Sequence, residues 1–233
     1  MATQFANGKI VTDGLVLALN AADRNSYPGS GTTWTDISGN NLNGTLTNGP
    51  TFSSENGGII TFDGADDYIG CGNSSLLNLG AMTIAAWVKP STNVANYRAI
   101  IADESVGGAP WNYRLYLVIN TGTVVYDFYG SGYSGLTSTY AINDNKWHYV
   151  CGVRTATNGT IRLYIDGVLN VSGTDSSNRS TLGNQVLIGA SPLSGVSYPF
   201  SGNIASAQIY NVGLTDAQIL QNYNAMKSRF GLK

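Results

Sequence analysis

Carboxylate side chains are the first groups that could do chemistry in this chain, and few of them stand in a catalytic arrangement. Glycoside hydrolysis uses two facing carboxyl groups, which lie about 5–10 Å apart depending on the mechanism. The only two glutamates, Glu55 and Glu104, fall in stretches that we predict to be loops, not in a strand of alternating carboxylates. The acidic stretch Asp63–Asp67 (DGADD) contains glycine and alanine, which predict a turn. These residues therefore predict no hydrolytic pair.

Other catalytic signatures also fail to predict an enzyme. The single histidine, His148, follows Trp147 in an alternating strand, where a structural or surface role is expected. No nucleophile elbow of the form G-x-S-x-G occurs. The segment Gly130–Gly135 (GSGYSG) matches G-x-G-x-x-G, but the threonine-rich residues after it carry no helical stripe. Because the dinucleotide fingerprint needs a helix there, we predict a flexible loop for this segment.

Aromatic side chains indicate a different chemistry, the binding of sugars. Aromatic residues make up 10% of the chain, and 14 of them are tyrosines. The apolar C–H face of a sugar packs on an aromatic ring, while amides and hydroxyls bond its polar edge. The candidate carbohydrate-binding residues lie in two stretches predicted to be loops, and they are Trp111, Asn112, Tyr113 and Tyr133. The alternative is that these side chains only cap an end of the fold.

Short strands are the elements that would position these residues. Apolar or alternating runs recur along the chain between Gly, Asn and Asp turns, as in the hairpin predicted for Arg114–Ile119 and Val124–Tyr129. Such a series predicts a β-sandwich or a barrel. Because no change of composition marks a second domain, we predict an N-terminal arm at residues 1–13, a sandwich at 14–213, and a C-terminal segment at 214–233 of the same domain.

The C-terminal segment is predicted to form an amphipathic helix. Thr215 and Gln218 fit a capping box at its start, and Gly231 fits a stop at its end. Its apolar side chains recur at spacings of four, three and four residues on one helical face, namely Ile219, Tyr223, Met226 and Phe230. Two roles remain open for this face: it covers an open end of the sandwich, or it docks against another protein or a second copy of the chain.

Composition and charge exclude several classes of partner. Charged residues make up 11% of the chain and the net charge is −2, so no basic surface is available for nucleic acid or anionic membranes. No apolar run approaches the roughly 18 residues that span a bilayer, and residues 1–8 lack the pattern of a secretory signal. The two cysteines, Cys71 and Cys151, are too few for a zinc site or a disulfide framework. Free thiols are expected, with a bridge between the two as the alternative.

Four segments of the chain resemble, in the same order, segments of the laminin-G-like domains of the concanavalin A-like lectin/glucanase family. They are Thr61–Ile69 (TFDGADDYI), Met82–Pro90 (MTIAAWVKP), Trp147–Gly167 (WHYV…LYIDG) and Phe200–Asn211 (FSGNI…IYN). The resemblance runs from about residue 14 to residue 220, nearly the whole chain. It implies an all-β fold, a two-sheet antiparallel jelly-roll sandwich of the concanavalin A-like type, with a short C-terminal helix.

The segments near the two ends, Gly14–Trp34 and Leu220–Gly231, resemble the copies of this domain that tailed bacteriophages encode. Such modules belong to virion parts. The resemblance therefore implies a location on the virion after assembly in the bacterial cytoplasm, with phage capsid or tail proteins as partners. A host-surface glycan as a ligand and a homo-oligomer as an assembly state stay open, while the charge and composition given above predict no nucleic acid bound and no membrane insertion.

Two departures from the family pattern bear on activity and on metal binding. Enzymatic relatives carry a glutamate-rich catalytic strand that this chain lacks, which favours a non-catalytic module. Many relatives bind a structural Ca²⁺ partly through an aspartate of the closing strand, where this chain has Ala205 followed by Ser206. Backbone carbonyls together with Asp36 or Asp63 remain as oxygen ligands for such a cation. No cofactor is required by this interpretation, and a structural Ca²⁺ stays open.

The resulting hypothesis is a non-catalytic surface protein of a tailed-phage virion, either a head decoration or a fibre or appendage. Its loops around Trp111 and Tyr133 would bind carbohydrate during host adsorption. One alternative is a purely structural decoration protein without a ligand. The other, which the scarcity of glutamate disfavours, is a polysaccharide-degrading enzyme of the glucanase type.

Overall fold

The computed structural model describes residues 8–92, 96–105, 108–177, 185–193 and 197–233. Within these residues the chain forms strands, one α-helix of 11 residues, and short 3-10 helices. The strands in chain order are β1 (Leu15–Asn20), β2 (Thr33–Trp34), β3 (Gly44–Thr47), β4 (Thr51–Ser53), β5 (Ile59–Asp63), β6 (Tyr68–Gly70), β7 (Met82–Pro90), β8 (Arg98–Ser105), β9 (Gly108–Leu117), β10 (Thr123–Tyr129), β11 (Tyr133–Ala141), β12 (His148–Arg154), β13 (Thr160–Ile165), β14 (Val168–Thr174), β15 (Gln185–Ile188) and β16 (Ser201–Tyr210). The helix, α1, spans Asp216–Met226, and the 3-10 helices span Glu55–Gly57, Ser75–Leu77 and Lys227–Phe230.

The strands form two antiparallel sheets of eight strands each. The first sheet has the order β14-β13-β12-β7-β16-β5-β4, and β1 also pairs with β16. The second sheet has the order β11-β10-β9-β8-β15-β6-β3-β2. One hydrophobic core fills the space between the two sheets. The predicted all-β sandwich with a short C-terminal helix is therefore confirmed.

Strand β7 shows why the first sheet is buried on both faces. Ile84, Ala86 and Val88 point into the core between the sheets. Ala85 and Trp87 alternate with them and point to the outer face, into a second apolar cluster. Successive side chains of a strand alternate between faces, so a strand that is covered on both sides has a nearly continuous apolar sequence. The run MTIAAWV is such a sequence.

Helix α1 and the 3-10 turn after it cover the outer face of the first sheet. Ile219 and Met226 are fully buried in the outer cluster. Tyr223 stacks on Trp87 with ring centroids 5.5 Å apart, and the Phe230 ring lies 4.5 Å from that of Trp87. The face predicted either to cover the fold or to dock on a partner is thus turned inward, because these rings fill the groove over β7. Burial of Ile219 and Met226 favours the covering role, while Tyr223 and Phe230 are only partly buried, and the docking role of these four residues stays a prediction.

Local hydrogen bonds hold the helix in that position. The predicted capping box is present: the Thr215 hydroxyl accepts the Gln218 backbone N–H, and the Gln218 side chain accepts that of Thr215. Asn222 lies on the buried face of the helix, where its Oδ1 accepts the Val11 N–H at 2.8 Å and its Nδ2 donates to the Tyr210 hydroxyl at 3.0 Å. These bonds join the helix, strand β16 and the N-terminal segment. Residues 1–7 of the predicted N-terminal arm lie outside the described residues.

The two cysteines lie on opposite sides of the first sheet. Cys71 belongs to the core between the sheets, whereas Cys151 belongs to the cluster under the helix. Both are buried free thiols, as expected from the sequence. Among the residues that the structure describes, no helix combines the length and the apolar character needed to cross a membrane.

Candidate functional site

The outer face of the second sheet, over strands β8 to β11, gathers charged and aromatic side chains. The ladder places Arg114 of β9 opposite Asp127 of β10, and Trp111 opposite both Glu104 of β8 and Tyr129 of β10. Tyr129 in turn pairs with Tyr133 at the start of β11. We call this surface the aromatic face, and its residues are Tyr97, Glu104, Trp111, Arg114, Tyr116, Asp127, Tyr129, Tyr133 and Tyr198. Neighbouring strands lie about 4.8 Å apart, so these side chains form one continuous patch.

A buried ion pair lies at the centre of the aromatic face. The Arg114 guanidinium donates from Nε to Asp127 Oδ1 at 2.9 Å and from one terminal nitrogen to Oδ2 at 2.7 Å. The Asp127 side chain is fully buried, and that of Arg114 is nearly so. Burial by itself would lower the pKa of Arg114, but the hydrogen bonds and charge of Asp127 outweigh it and the pKa is raised. The bidentate geometry therefore keeps this cation charged and fixed in place.

Asp127 also accepts hydrogen bonds from two aromatic side chains. The Trp111 indole Nε1 donates to Oδ1 at 3.0 Å, and the Tyr116 hydroxyl donates to Oδ2 at 3.1 Å. Together with Arg114, four donors satisfy the carboxylate. An ionised carboxylate has about four acceptor positions, so Asp127 has little capacity left for a substrate. It orients the surrounding rings and does not serve as a free acid, base or nucleophile.

The loop that we predicted around Glu104 is wrong, because Glu104 lies in strand β8. Its side chain is fully buried and faces Arg114 at 3.5 Å, and it accepts a hydrogen bond from the Ser191 hydroxyl. Burial raises the pKa of Glu104, although Ser191 and Arg114 act in the opposite direction. The loop prediction failed because the ladder to β9 holds Asp103 and Glu104 in the sheet, which the local sequence does not reveal.

Aromatic rings surround the ion pair on two sides. On the β10–β11 side, Trp111 lies 4.8 Å from Tyr129 between ring centroids, and the Arg114 guanidinium carbon lies 3.6 Å from the Trp111 ring centre. Tyr133 is the most exposed member, with 54% of its surface accessible. Its hydroxyl lies over Gly135, beside the Cβ of Asp127. Burial raises the pKa of Tyr133, and the charge of Asp127 adds to this.

A second aromatic group lies on the β8 side, and the sequence did not predict it. Tyr97 contacts Tyr116 at 5.8 Å and Tyr198 at 5.3 Å, both edge to face. Tyr198 has a φ of +55°, a backbone conformation that is costly for a bulky residue and is concentrated at functional sites. The ladder neighbours of Tyr116 could have been deduced from strand alternation. Tyr97 and Tyr198 could not, because they are brought to the face by connections far apart in the chain.

The structure separates the four residues that the sequence analysis singled out. Trp111 and Tyr133 both reach the aromatic face. Asn112 and Tyr113 do not, because β9 holds them in the interior: Asn112 donates to Asp103 Oδ2 at 2.7 Å, and the Tyr113 hydroxyl donates to the Leu77 carbonyl at 3.3 Å. The loop predicted around Trp111 is thus a strand from Gly108 onward, and Gly107 lies outside the described residues. The loop predicted for Gly130–Gly135 is wrong from Tyr133 onward, where β11 begins.

The acidic turn after β5 offers the donor set of a hard cation. Asp63, Asp66 and Asp67 present carboxylate oxygens within 4.8 Å of one another. Burial raises the pKa of Asp67, and the charges of Asp63 and Asp66 add to this, although the Asp63 backbone N–H opposes it. Three carboxylates suit Ca²⁺ in kind.

Asp36, the other carboxylate that we expected for a cation, is already occupied. It accepts the backbone N–H groups of Ala18, Ser38 and Leu42 as well as the Ser38 hydroxyl. Ala205 is buried under the helix and carries no ligand atom on its side chain. Calcium binding therefore stays a prediction that involves only the acidic turn.

Much of the chain is similar in sequence to a known family and to parts of known proteins. The family model described as Laminin_G_3, concanavalin A-like lectin/glucanases superfamily, matches residues 63–220. The Rattus norvegicus protein "Sushi, von Willebrand factor type A, EGF and pentraxin domain-containing protein 1" is 34% identical over 104 residues, which is 42% of this chain and 3% of that protein. Its Mus musculus counterpart is 33% identical over 104 residues. The chain thus matches only a small part of these long relatives.

Solved structures with the same fold include several binding domains. The binding domain of Paraclostridial Mosquitocidal Protein 1 superposes with a TM-score of 0.74 at 15% identity, over 92% of this chain and 52% of that one. Domain 4 of AbnA, a GH43 extracellular arabinanase from Geobacillus stearothermophilus, in complex with arabinotriose, gives 0.70 at 19% identity, over 90% and 98%. The binding domain of Botulinum Neurotoxin DC in complex with SialylT gives 0.67 at 14% identity, over 92% and 52%. At identities this low, the structural likeness shows a common fold and nothing further.

Proposed function

The chain belongs to the concanavalin A-like lectin/glucanases superfamily, and we propose that it is a non-catalytic carbohydrate-binding protein whose site is the aromatic face. The observation that carries this proposal is the grouping of six aromatic side chains around the buried Arg114–Asp127 pair on one sheet face. Rings present apolar surface to the C–H face of a sugar, and tyrosine hydroxyls bond its edge. Recognition of this kind needs no cofactor.

A binding role without catalysis agrees with the state of the two carboxylates. Glycosidases need one carboxyl group that donates a proton and one that attacks or activates water. Asp127 is satisfied by four donors, and Glu104 is fully buried against Ser191 and Arg114. Neither group is arranged to reach a glycosidic bond. Release of reducing sugar from any polysaccharide by the purified protein would instead support the glucanase alternative.

Proteins of the same fold supply further support. Domain 4 of the arabinanase AbnA, which this chain covers almost completely, was solved in complex with arabinotriose, and the Botulinum Neurotoxin DC binding domain was solved in complex with SialylT. A sandwich with this strand arrangement is thus able to present a sugar site, although its location on this chain is proposed from the aromatic face alone.

The setting that we propose is the surface of a tailed-phage virion, on a head decoration or on a fibre or appendage. Its support is the sequence resemblance of Gly14–Trp34 and Leu220–Gly231 to phage-encoded copies. In that setting the site would bind a host-surface glycan during adsorption, with capsid or tail proteins as assembly partners. Detection of the chain in purified particles with a specific antibody tests this setting separately from sugar binding.

The binding test compares two tyrosines on the same strand. Tyr133 and Tyr140 both belong to β11 and are similarly exposed, at 54% and 48%, but only Tyr133 lies at the Arg114–Asp127 pair. Purified wild type, Tyr133→Ala and Tyr140→Ala are applied to a glycan array. We expect binding by the wild type and by Tyr140→Ala, and a loss in Tyr133→Ala. Equal binding by all three would move the site elsewhere, and a blank array would favour a structural decoration protein.

A further inference from the structure

The hydrogen-bond donors at the centre of the aromatic face point inward. Arg114 directs Nε and both terminal nitrogens at Asp127 and Glu104. The guanidinium is also covered by aromatic rings, at 3.6 Å from the Trp111 centre and 5.1 Å from that of Tyr116. A cation held in this way by two carboxylates and two rings is not available to an incoming anion.

The neutral donors that lie next to Arg114 and Glu104 are used in the same way. The Trp111 indole N–H and the Tyr116 hydroxyl hydrogen go to Asp127, and the Ser191 hydroxyl hydrogen goes to Glu104. A tyrosine hydroxyl that donates its one hydrogen keeps its lone pairs free. What these side chains offer a ligand is therefore aromatic carbon and acceptor oxygen.

The charges of the aromatic face also disfavour an anionic ligand. Among the described residues that interact electrostatically with Glu104, Arg114 is the cation and Asp127 is a further anion. The same Arg114 and Asp127 act on Tyr116, Tyr133 and Tyr198, so the part of the patch that the structure describes matches one cation against two carboxylates. A third negative charge brought by a ligand would be repelled, because the two carboxylates outnumber the cation. The repulsion is stronger in this partly buried setting, because the effective dielectric constant is lower than in water.

We infer that the aromatic face selects uncharged glycans, which donate hydroxyl hydrogens, and rejects glycans that carry a carboxylate or a sulfate at the bound residue. This inference rests on the proposed function, since it specifies the ligand of the same site. The reason is that an acidic sugar brings acceptor oxygens and negative charge to a surface that already has both.

The test uses a glycan array printed with matched pairs that differ only in one acidic group: a terminal sialic acid, a sulfate ester, or a uronate against its methyl ester. We expect the neutral member of each bound pair to bind about tenfold more tightly than the acidic one. The residual binding of the acidic member should strengthen with added salt, because screening weakens repulsion between like charges. Binding of the neutral member should not change with salt.

A charge-removing variant connects the selectivity to this site. Glu104→Gln keeps the shape of the side chain and can still accept from Arg114 while bonding Ser191, so the fold should be retained. The chain offers a matched control in Glu55→Gln, because Glu55 is its other glutamate and is exposed on the 3-10 helix Glu55–Gly57. We expect Glu104→Gln to reduce the neutral-to-acidic preference severalfold and Glu55→Gln to leave it unchanged.

The outcomes separate the inference from the proposed function. Equal or tighter binding of acidic members, weakened by salt, would overturn the charge selectivity while sugar binding stands. A blank array for both members of every pair would overturn the proposed function and the selectivity with it. Should Glu104→Gln not fold, the salt dependence of the wild type still decides the question, because it needs no substitution.

Discussion

The side chain of Tyr133 lies directly over Gly135, which is the residue two positions further along β11. A Cβ added to Gly135 would stand 2.5 Å from the Tyr133 hydroxyl oxygen and 2.8 Å from the Cβ of Asp127 on the neighbouring strand. The absent side chain at Gly135 is thus what allows the tyrosine to fold back across the strand toward the ion pair. A glycine inside a strand often marks such a close approach.

Gly135→Ala is therefore expected to displace Tyr133 and to weaken glycan binding. An aromatic contact contributes about 0.5–1.5 kcal/mol, so the loss should be roughly two- to tenfold in affinity, measured by titration calorimetry with a glycan that binds the wild type. Gly132→Ala is the matched control, since a Cβ there meets no atom within 4 Å. Unchanged affinity in Gly135→Ala would show that the position of Tyr133 is irrelevant to binding.

The inward-facing helix predicts a sharp difference between two adjacent residues. Ile219 has no exposed surface, whereas Leu220 is 45% exposed. Ile219→Ala should lower the free energy of unfolding by about 2–5 kcal/mol, and Leu220→Ala by less than about 0.5 kcal/mol. Urea denaturation of the two variants measures both values. Similar small losses in both would contradict the burial of this helix face on the first sheet.

His148 predicts a pH dependence of stability in the near-neutral range. Burial lowers the pKa of His148, but hydrogen bonds and charge from Asp166 at 2.9 Å and Asp144 at 3.1 Å outweigh it, so the pKa is raised above 6.5. The folded state thus favours the imidazolium. Its stabilising contribution is fully present below the unfolded pKa and is lost as the pH rises through the higher folded pKa.

This titration can be observed directly, because His148 is the only histidine of the chain. The single imidazole signal in an NMR titration should give a folded pKa above that of an unfolded peptide. Melting temperatures of the wild type should fall relative to His148→Gln as the pH rises through this range. A folded pKa below the peptide value would show that the two aspartates do not hold the ring.

The buried cysteines should be inert to thiol reagents in the folded protein. Burial, with a smaller contribution from Asp36, raises the pKa of Cys71 to about 12, and burial also raises the pKa of Cys151. Thiolates are the reactive species, so both protonation and lack of access slow the reaction. Labelling with a chromogenic disulfide should detect no thiol in native protein and two in denaturant. Rapid labelling of the native protein would contradict this burial.

Local sequence sufficed wherever an element depends on its own residues. The hairpin of β9 and β10 and the capping box at Thr215 were both predicted from neighbouring residues. The two-sheet sandwich followed from the number of short strands and from the family resemblance. In each case the relevant interactions lie within a few positions, so pattern and propensity carry the information.

The site itself depended on pairings that local sequence does not contain. Glycine and proline near Gly108–Pro110 predicted a loop at Trp111, but ladders on both sides hold β9 in the sheet. Strand alternation then decides which side chains reach the surface, so Tyr113 points inward and Arg114 outward. Tyr198 reaches the site only through a backbone conformation with positive φ, for which a tyrosine gives no signal.

The two outer sides of the sandwich differ from each other. The helix lies on one side of the sandwich and the aromatic face on the other, with both sheets between them. Within the described residues, the Lys9 carbonyl accepts from Gln221 of this helix, and Leu232 packs against the cluster beneath it. A polypeptide joined after Lys233 would leave from the side of the sandwich that carries the helix. A tether at that end would therefore present the aromatic face outward, away from whatever holds the protein.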